Sequence, residues 1–263
     1  MVFDVTDDWT KEGPARFLAD FVGTLQSDAY GGYDHIHDSG RVIEAGCNAH
    51  ARRGFHKAQA VDKGRAAIAL GFYKMLYKTE KKAKQQGLGP EERLALRQVE
   101  SAPVMQALGK WLDEVEPAVL PKGPMGEAIG YVRNQWDALT RFLQDGRLEI
   151  DNNASERELR HVVLGRNNWK FAGSDAGARS AVILYSVIAS AIRNGLNPVA
   201  YLRNLFHELP GLPRNAPIPR EQLESFLPDR WAADAKAQDA LLSHVGPEIL
   251  RRLATSIDEF ASR

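Results

Sequence analysis

Strand-forming runs are confined to the first 47 residues, and almost everything after them carries helical spacing. VFDVT at 2–6, GTLQSD at 23–28 and RVIEAGC at 41–47 read as short strands, with GPARFLADF as a helix and Pro14 suited to its first turn. A chain that begins β-α-β-β and continues as helix belongs to the α/β class. Within 48–87, Val61, Ile68, Phe72, Met75 and Leu76 follow the helical period, and QGLGP ends the run. A second helical stretch starts near Pro90 and carries Leu94, Leu108, Trp111, Leu112 and Val115, with Pro103 expected to interrupt it. A third covers about 125–143. These three stretches look like a helical insertion.

The insertion is followed by the short LEID and by DNNASERELRHVVLGR, read as a helix from near Asn153; NWKFAGS reads as a strand or extended segment. A helix over about 176–193 follows. Asn197 and Pro198 then supply the cap and first-turn residue of another, through Phe206. LPGLPRNAPIP is a Pro-rich linker, and 220–263 reads as a helical appendix. The expected division is 1–50 and 146–209 as two parts of one core, 51–145 as the insertion, and 210–263 as linker and tail.

The formal net charge of zero over 263 residues conceals segregation. Residues 1–51 hold three bases and nine acids, whereas 52–97 hold twelve bases and four acids. A basic segment of that size attracts a polyanion whatever the whole-chain sum, although runs such as KTEKKAKQQ also suit the solvated face of a helix. Cys47 stands alone, so no internal disulfide forms. The acidic start MVFDVTDDW lacks the features of a signal peptide, and the apolar run at 181–192 is short of the roughly 20 residues that span a bilayer. The expected location is the cytoplasm, in association with the nucleoid, with no membrane role.

Asp28 closes a strand beside Gly31 and Gly32, where a carboxylate can serve as a metal ligand or simply end the strand in a turn. Glu156 lies on a helical first turn, where Asn153 with Glu156, or Ser155 with Glu158, also makes a capping box. Cys47 and His50 form a CxxH spacing near His35, His37 and His56. One Cys is few for structural zinc, and packing or support of the Asp28 loop is the expected use. Arg52, Arg53 and Lys57 suit either solvent or phosphate.

Taken together, LQSDAYGGYD, GCNAHARRGFHKA and DNNASERELRHVVLGRNNWKFAGSDAGARSA resemble the transposases of the insertion sequence 66 family, in order and over most of residues 1–210. LPDRW at 227–231 resembles that family's C-terminal ending. The resemblance implies an RNase H-like (retroviral-integrase-like) core with a DDE triad, broken by a helical insertion before the Glu. It also implies Mg²⁺ (or Mn²⁺) held by carboxylates, and cleavage and strand transfer on insertion-sequence ends and target DNA. Asp28 then matches the second Asp and Glu156 the Glu, both as catalytic metal ligands. Arg157, Arg160, Arg166, Lys170 and Arg179 would lie near the DNA backbone, with Arg52, Arg53 and Lys57, or support the acidic site. The family's first Asp precedes the segment resembling VFDVT, and its DNA-binding portion precedes that. Neither is in this sequence. The expectation is therefore an N-terminally truncated transposase, inactive alone and pairing with another copy or an upstream fragment. The alternative is a non-enzymatic DNA-binding remnant.

Overall fold

The computed structural model describes residues 1–6, 10–170, 172–213 and 216–231, and of 166–169 the backbone alone. It forms two compact units: Asp8–His161, and Met1–Asp7 together with Val162–Arg263.

In the first unit, α1 (Glu12–Phe17) leads to β1 (Gly23–Gln26), α2 (Asp34–His37) and β2 (Val42–Ala45). The strands pair in parallel, from Gly23 against Val42 to Gln26 against Ala45. One further bond, from the Ser27 amide to the Ala45 carbonyl at 3.0 Å, carries the pairing to the threshold of Asp28. The helical body is α3 (Asn48–Ala58), α4 (Lys63–Gln85), α5 (Pro90–Val115), α6 (Pro124–Asn134) and α7 (Trp136–Thr140). The single run expected over 48–87 is thus two helices. Asp62 separates them, its carboxylate accepting the Arg65 amide at 3.0 Å as the cap of α4. Gly87, at φ +63°, ends α4 in the left-handed conformation that glycine tolerates.

Pro103 does not break α5. The carbonyl it leaves without a helical partner belongs to Val99, which is 75% exposed, so water can satisfy it. Meanwhile Val104, Met105, Leu108 and Leu112 bury the opposite face. The core joins these to Phe55, Tyr73, Leu76, Ile129, Val132 and Leu139, with the Phe55 ring 6.0 Å from Tyr73 and 6.3 Å from Trp111.

One charged side chain lies at the centre. Arg97 is fully buried. Its guanidinium donates to the carbonyls of Phe142 (2.9 Å), Asp145 (3.1 Å) and Leu148 (2.8 Å), and to both oxygens of Glu80. Arg93 bonds the same Glu80 and also Glu149. The two arginines thereby hold the segment 142–149, which returns the chain from the helical body to the strand pair. A Cβ on Gly146 would run into the Pro90 carbonyl, so this return admits only glycine without a shift.

The boundary between the units falls within α8 (Asn153–Trp169). The second unit continues with α9 (Asp175–Arg193), α10 (Pro198–Glu208), α11 (Arg220–Glu224) and α12 (Pro228–Trp231). Ser174 caps α9, and Asn197 caps α10 by accepting the amides of Val199 and Ala200, as its spacing before Pro198 predicts. Ala191, Leu196, Ala200, Tyr201, Leu205 and Trp231 form its buried cluster.

Two expected strands are not formed. VFDVT is no strand: its Phe3 amide donates to Ser186 Oγ of α9 (2.8 Å), and just before it Ser190 Oγ donates to the Met1 carbonyl (2.8 Å). NWKFAGS gives no strand among its described residues, because α8 runs on to Trp169; Phe171 lies outside them. The tail from 232, expected to be helical, likewise lies wholly outside them. Among the described residues α9 is the one helix long and apolar enough to cross a membrane, at 19 residues.

Candidate active site at the strand ends

Of the two acids singled out by sequence, Asp28 stands just past the C-terminal end of β1, and Glu156 stands on α8 against α3, the helix that follows β2. Asp28 follows β1 after Ser27 and is exposed. Its neighbour Ala29 has φ +62°, a left-handed conformation that costs a non-glycine residue roughly 1–2 kcal/mol. The chain therefore turns sharply just past the carboxylate. Tyr33 and Tyr131 lie within electrostatic reach of Asp28. Burial first, and then the Asp28 charge, raises the Tyr33 hydroxyl above its ordinary range. Tyr131 is pushed up to about 12, chiefly by burial, with Cys47, Asp28 and Glu44 adding to the shift and Arg53 opposing it.

β2 leads through Gly46 and Cys47 into α3. The Gly46 amide bonds the Ala138 carbonyl at 2.8 Å, and a Cβ there would press on Leu139 and Ala138. Asn48 is fully buried, and its side-chain amide donates to the carbonyls of Leu139 (3.0 Å) and Ile150 (3.2 Å). These bonds tie the start of α3 to the chain that approaches α8.

The start of α8 is fixed by Asp151. Its carboxylate accepts the Asn153 amide at 3.1 Å and side chain at 2.8 Å, and it also accepts the Tyr77 hydroxyl at 2.6 Å. The cap is therefore Asp151 rather than either capping box expected from Asn153 and Ser155, and the Glu156 side chain is released from that local duty. Glu156 faces His50 instead, its Oε1 3.6 Å from Nε2, with the two side chains 37% and 20% exposed. Cys47 Sγ accepts the Asn152 amide at 3.5 Å, one helical turn before Glu156. Burial pushes the Cys47 thiol above its usual range.

Among the described residues no three His, Cys, Asp or Glu side chains converge on one point suited to a cation. The donor chemistry of Asp28 and Glu156 nevertheless fits a hard divalent ion. Polar capacity is also unspent nearby: Tyr131 Oη, His50 Nδ1 and Asn152 Oδ1 are buried without a hydrogen-bond partner. The fit is in kind of donor, and two acids fall short of a full set. Tyr131, Asp151 and Asn48 escaped the sequence reading. The repeated polar residues of DNN were a signal for Asp151, but Tyr131 sits among ordinary helical positions and gave none.

The basic residues divide. Arg52, Arg53 and Lys57 are exposed on one face of α3, and Arg157 and Arg160 on α8. Lys170 follows α8, exposed and at φ +60°, and Arg179 is exposed on α9. Arg166 lies on α8 where side chains are outside the described residues. In the basic segment 52–97, by contrast, Arg65, Lys82, Arg93 and Arg97 are neutralised by Asp62, Glu100, Glu80 and Glu149. The cationic surface is smaller than the sequence count.

The chain is 34% identical over 247 residues to the uncharacterized protein y4hP of Sinorhizobium fredii, an alignment covering 88% of this chain and 43% of that protein. It is 32% identical over 232 residues to y4jD of the same organism, covering 86% and 44%. The chain thus spans less than half the length of these relatives. No solved structure matches it. The profile of the family described as Transposase IS66 family matches residues 1–180, the span that includes Asp28, the CxxH pair and Glu156, and the chain belongs to that family.

Proposed function

We propose that this chain is the part of a DNA transposase that carries the second and third acids of a DDE site, Asp28 and Glu156. What supports the reading is the position of Asp28 just past β1 and of Glu156 against His50 on α3, the helix that follows β2, inside the family's matched span. On this reading the parallel strands belong to an RNase H-like core, residues 51–145 are a helical body inserted in it, and 146–209 return to it. The reaction is phosphodiester cleavage and strand transfer on insertion-sequence DNA. Mg²⁺ or Mn²⁺, when bound, supplies the Lewis acidity for in-line attack at phosphorus. Asp28 and Glu156 hold the cation. Arg52, Arg53 and Lys57, with Arg157, Arg160, Arg166, Lys170 and Arg179, hold the phosphate backbone.

Two acids alone do not complete such a site, so the chain by itself does not carry out strand transfer; a second copy or an upstream fragment supplies the remaining ligand. The work is done in the cytoplasm, at the nucleoid. In solution Asp28→Asn and Glu156→Gln are each expected to weaken Mn²⁺ binding at least tenfold, read by titration calorimetry, with folding retained. Mn²⁺ affinity equal to that of the parent in both variants would remove the site. Robust Mg²⁺-dependent cleavage by the chain alone, abolished by Asp28→Ala, would instead show the site to be complete.

A second reading rests on the exposed cations of α3 and on the lack of a three-ligand cluster among the described residues: a non-enzymatic DNA-binding remnant. It predicts salt-sensitive DNA binding that is indifferent to metal.

A further inference from the structure

We propose that Cys47 and His50 act as a two-point bracket that sets the position of the Glu156 carboxylate. The function of the CxxH spacing is then neither zinc binding nor chemistry, but alignment of one helix start on another. Cys47, at the cap position of α3, and His50 are three positions apart, and their partners at the start of α8, Asn152 and Glu156, are four positions apart. Each spacing is about one helical turn, so the two contacts lie side by side. Cys47 holds the backbone through the Asn152 amide. His50 meets the acid itself. Asn48, between them in the chain, adds its bond to the Ile150 carbonyl, which stops α3 from sliding along the segment it braces.

The position of Glu156 needs such a device. Asp151 supplies the cap, so no local bond fixes the Glu156 side chain; it is one-third exposed, and on a bare helix surface it would sample several rotamers. His50 is the more ordered of the two, being anchored on a helix whose other contacts are the fully buried Ala51 and Phe55. A separation of 3.6 Å is slightly long for a hydrogen bond, and contacts of this kind tighten when a site engages its ligand. His50 is thus a positioning residue. Its link to metal binding rests on the function proposed above; its link to the helix start does not.

The test separates these. Hydrogen exchange of residues 155–159 in the full chain is compared with that of α5, and Mn²⁺ binding is measured in parallel. His50→Ala is expected to speed exchange at 155–159 about tenfold with α5 unchanged, and to weaken Mn²⁺ binding about tenfold. His50→Gln, which keeps an N–H donor near Nε2, is expected to restore most of both. Exchange at 155–159 that stays at the parent rate in His50→Ala overturns the bracket. So does acceleration that is equal in α5, because that is loss of general packing. If exchange responds as expected while Glu156→Gln binds Mn²⁺ as well as the parent does, the bracket stands and the metal site falls.

Discussion

Replacing Arg97 with methionine is expected to destabilise the unit formed by residues 8–161 by about 3–5 kcal/mol, the largest stability effect of any single side chain described here. Methionine matches the length of the stem, so little packing is lost. What goes is the donor set. Three backbone carbonyls, of Phe142, Asp145 and Leu148, lose their partner, and Glu80 keeps only Arg93. Unsatisfied buried acceptors cost about 1–3 kcal/mol each, and relaxation of 142–149 toward water recovers part of that. Arg97→Lys is expected to fall close to the methionine variant, because a single ammonium cannot span five bonds aimed in one plane. Urea denaturation followed by tryptophan fluorescence measures both. A midpoint for Arg97→Met that shifts no more than that of the exposed Lys84→Met would show the network to be ornamental to stability.

Changing Arg52, Arg53 and Lys57 together to alanine is expected to weaken DNA binding on the order of a hundredfold near 0.1 M salt. It should also flatten the dependence of log affinity on log salt by up to about 2.7, at about 0.9 per phosphate neutralised. The same count of lysines removed from the middle of α4, Lys74, Lys78 and Lys81, should change the slope less if the DNA path follows the strand ends. Fluorescence anisotropy on one duplex at several salt concentrations gives both numbers. An unchanged slope in the α3 variant would detach DNA from this face. Because the substituted side chains are exposed, folding should be unaffected.

Local chemistry was readable from the sequence where a single residue decides a local event. Asn197 before Pro198 caps a helix wherever it sits, and Gly87 ends one. A strand closing at Asp28 and a helix opening after Cys47 follow from the same kind of rule. What the sequence hid depends on distant partners. No periodicity assigns an arginine to a core, and Arg97 is buried only because carbonyls 45 to 51 positions away converge on it. VFDVT alternates as a strand should, yet its Phe3 amide meets the hydroxyl of Ser186 rather than another strand. Pro103 looked like a break because the test weighs one lost bond and cannot see the apolar face that outweighs it. In the candidate site the acids and arginines were legible as residue types. The His50 to Glu156 contact was not, since 106 positions separate its members.

The chain's one sulfhydryl doubles as a built-in clock. Because Cys47 is sealed under the entry to α8, a reagent such as dithionitrobenzoate reaches it only after that entry lifts away, and its modification rate counts the openings. Slower labelling on adding Mn²⁺ or a DNA end would show occupancy of the neighbouring acids being felt at the sulfur, with no fluorophore added and no residue changed.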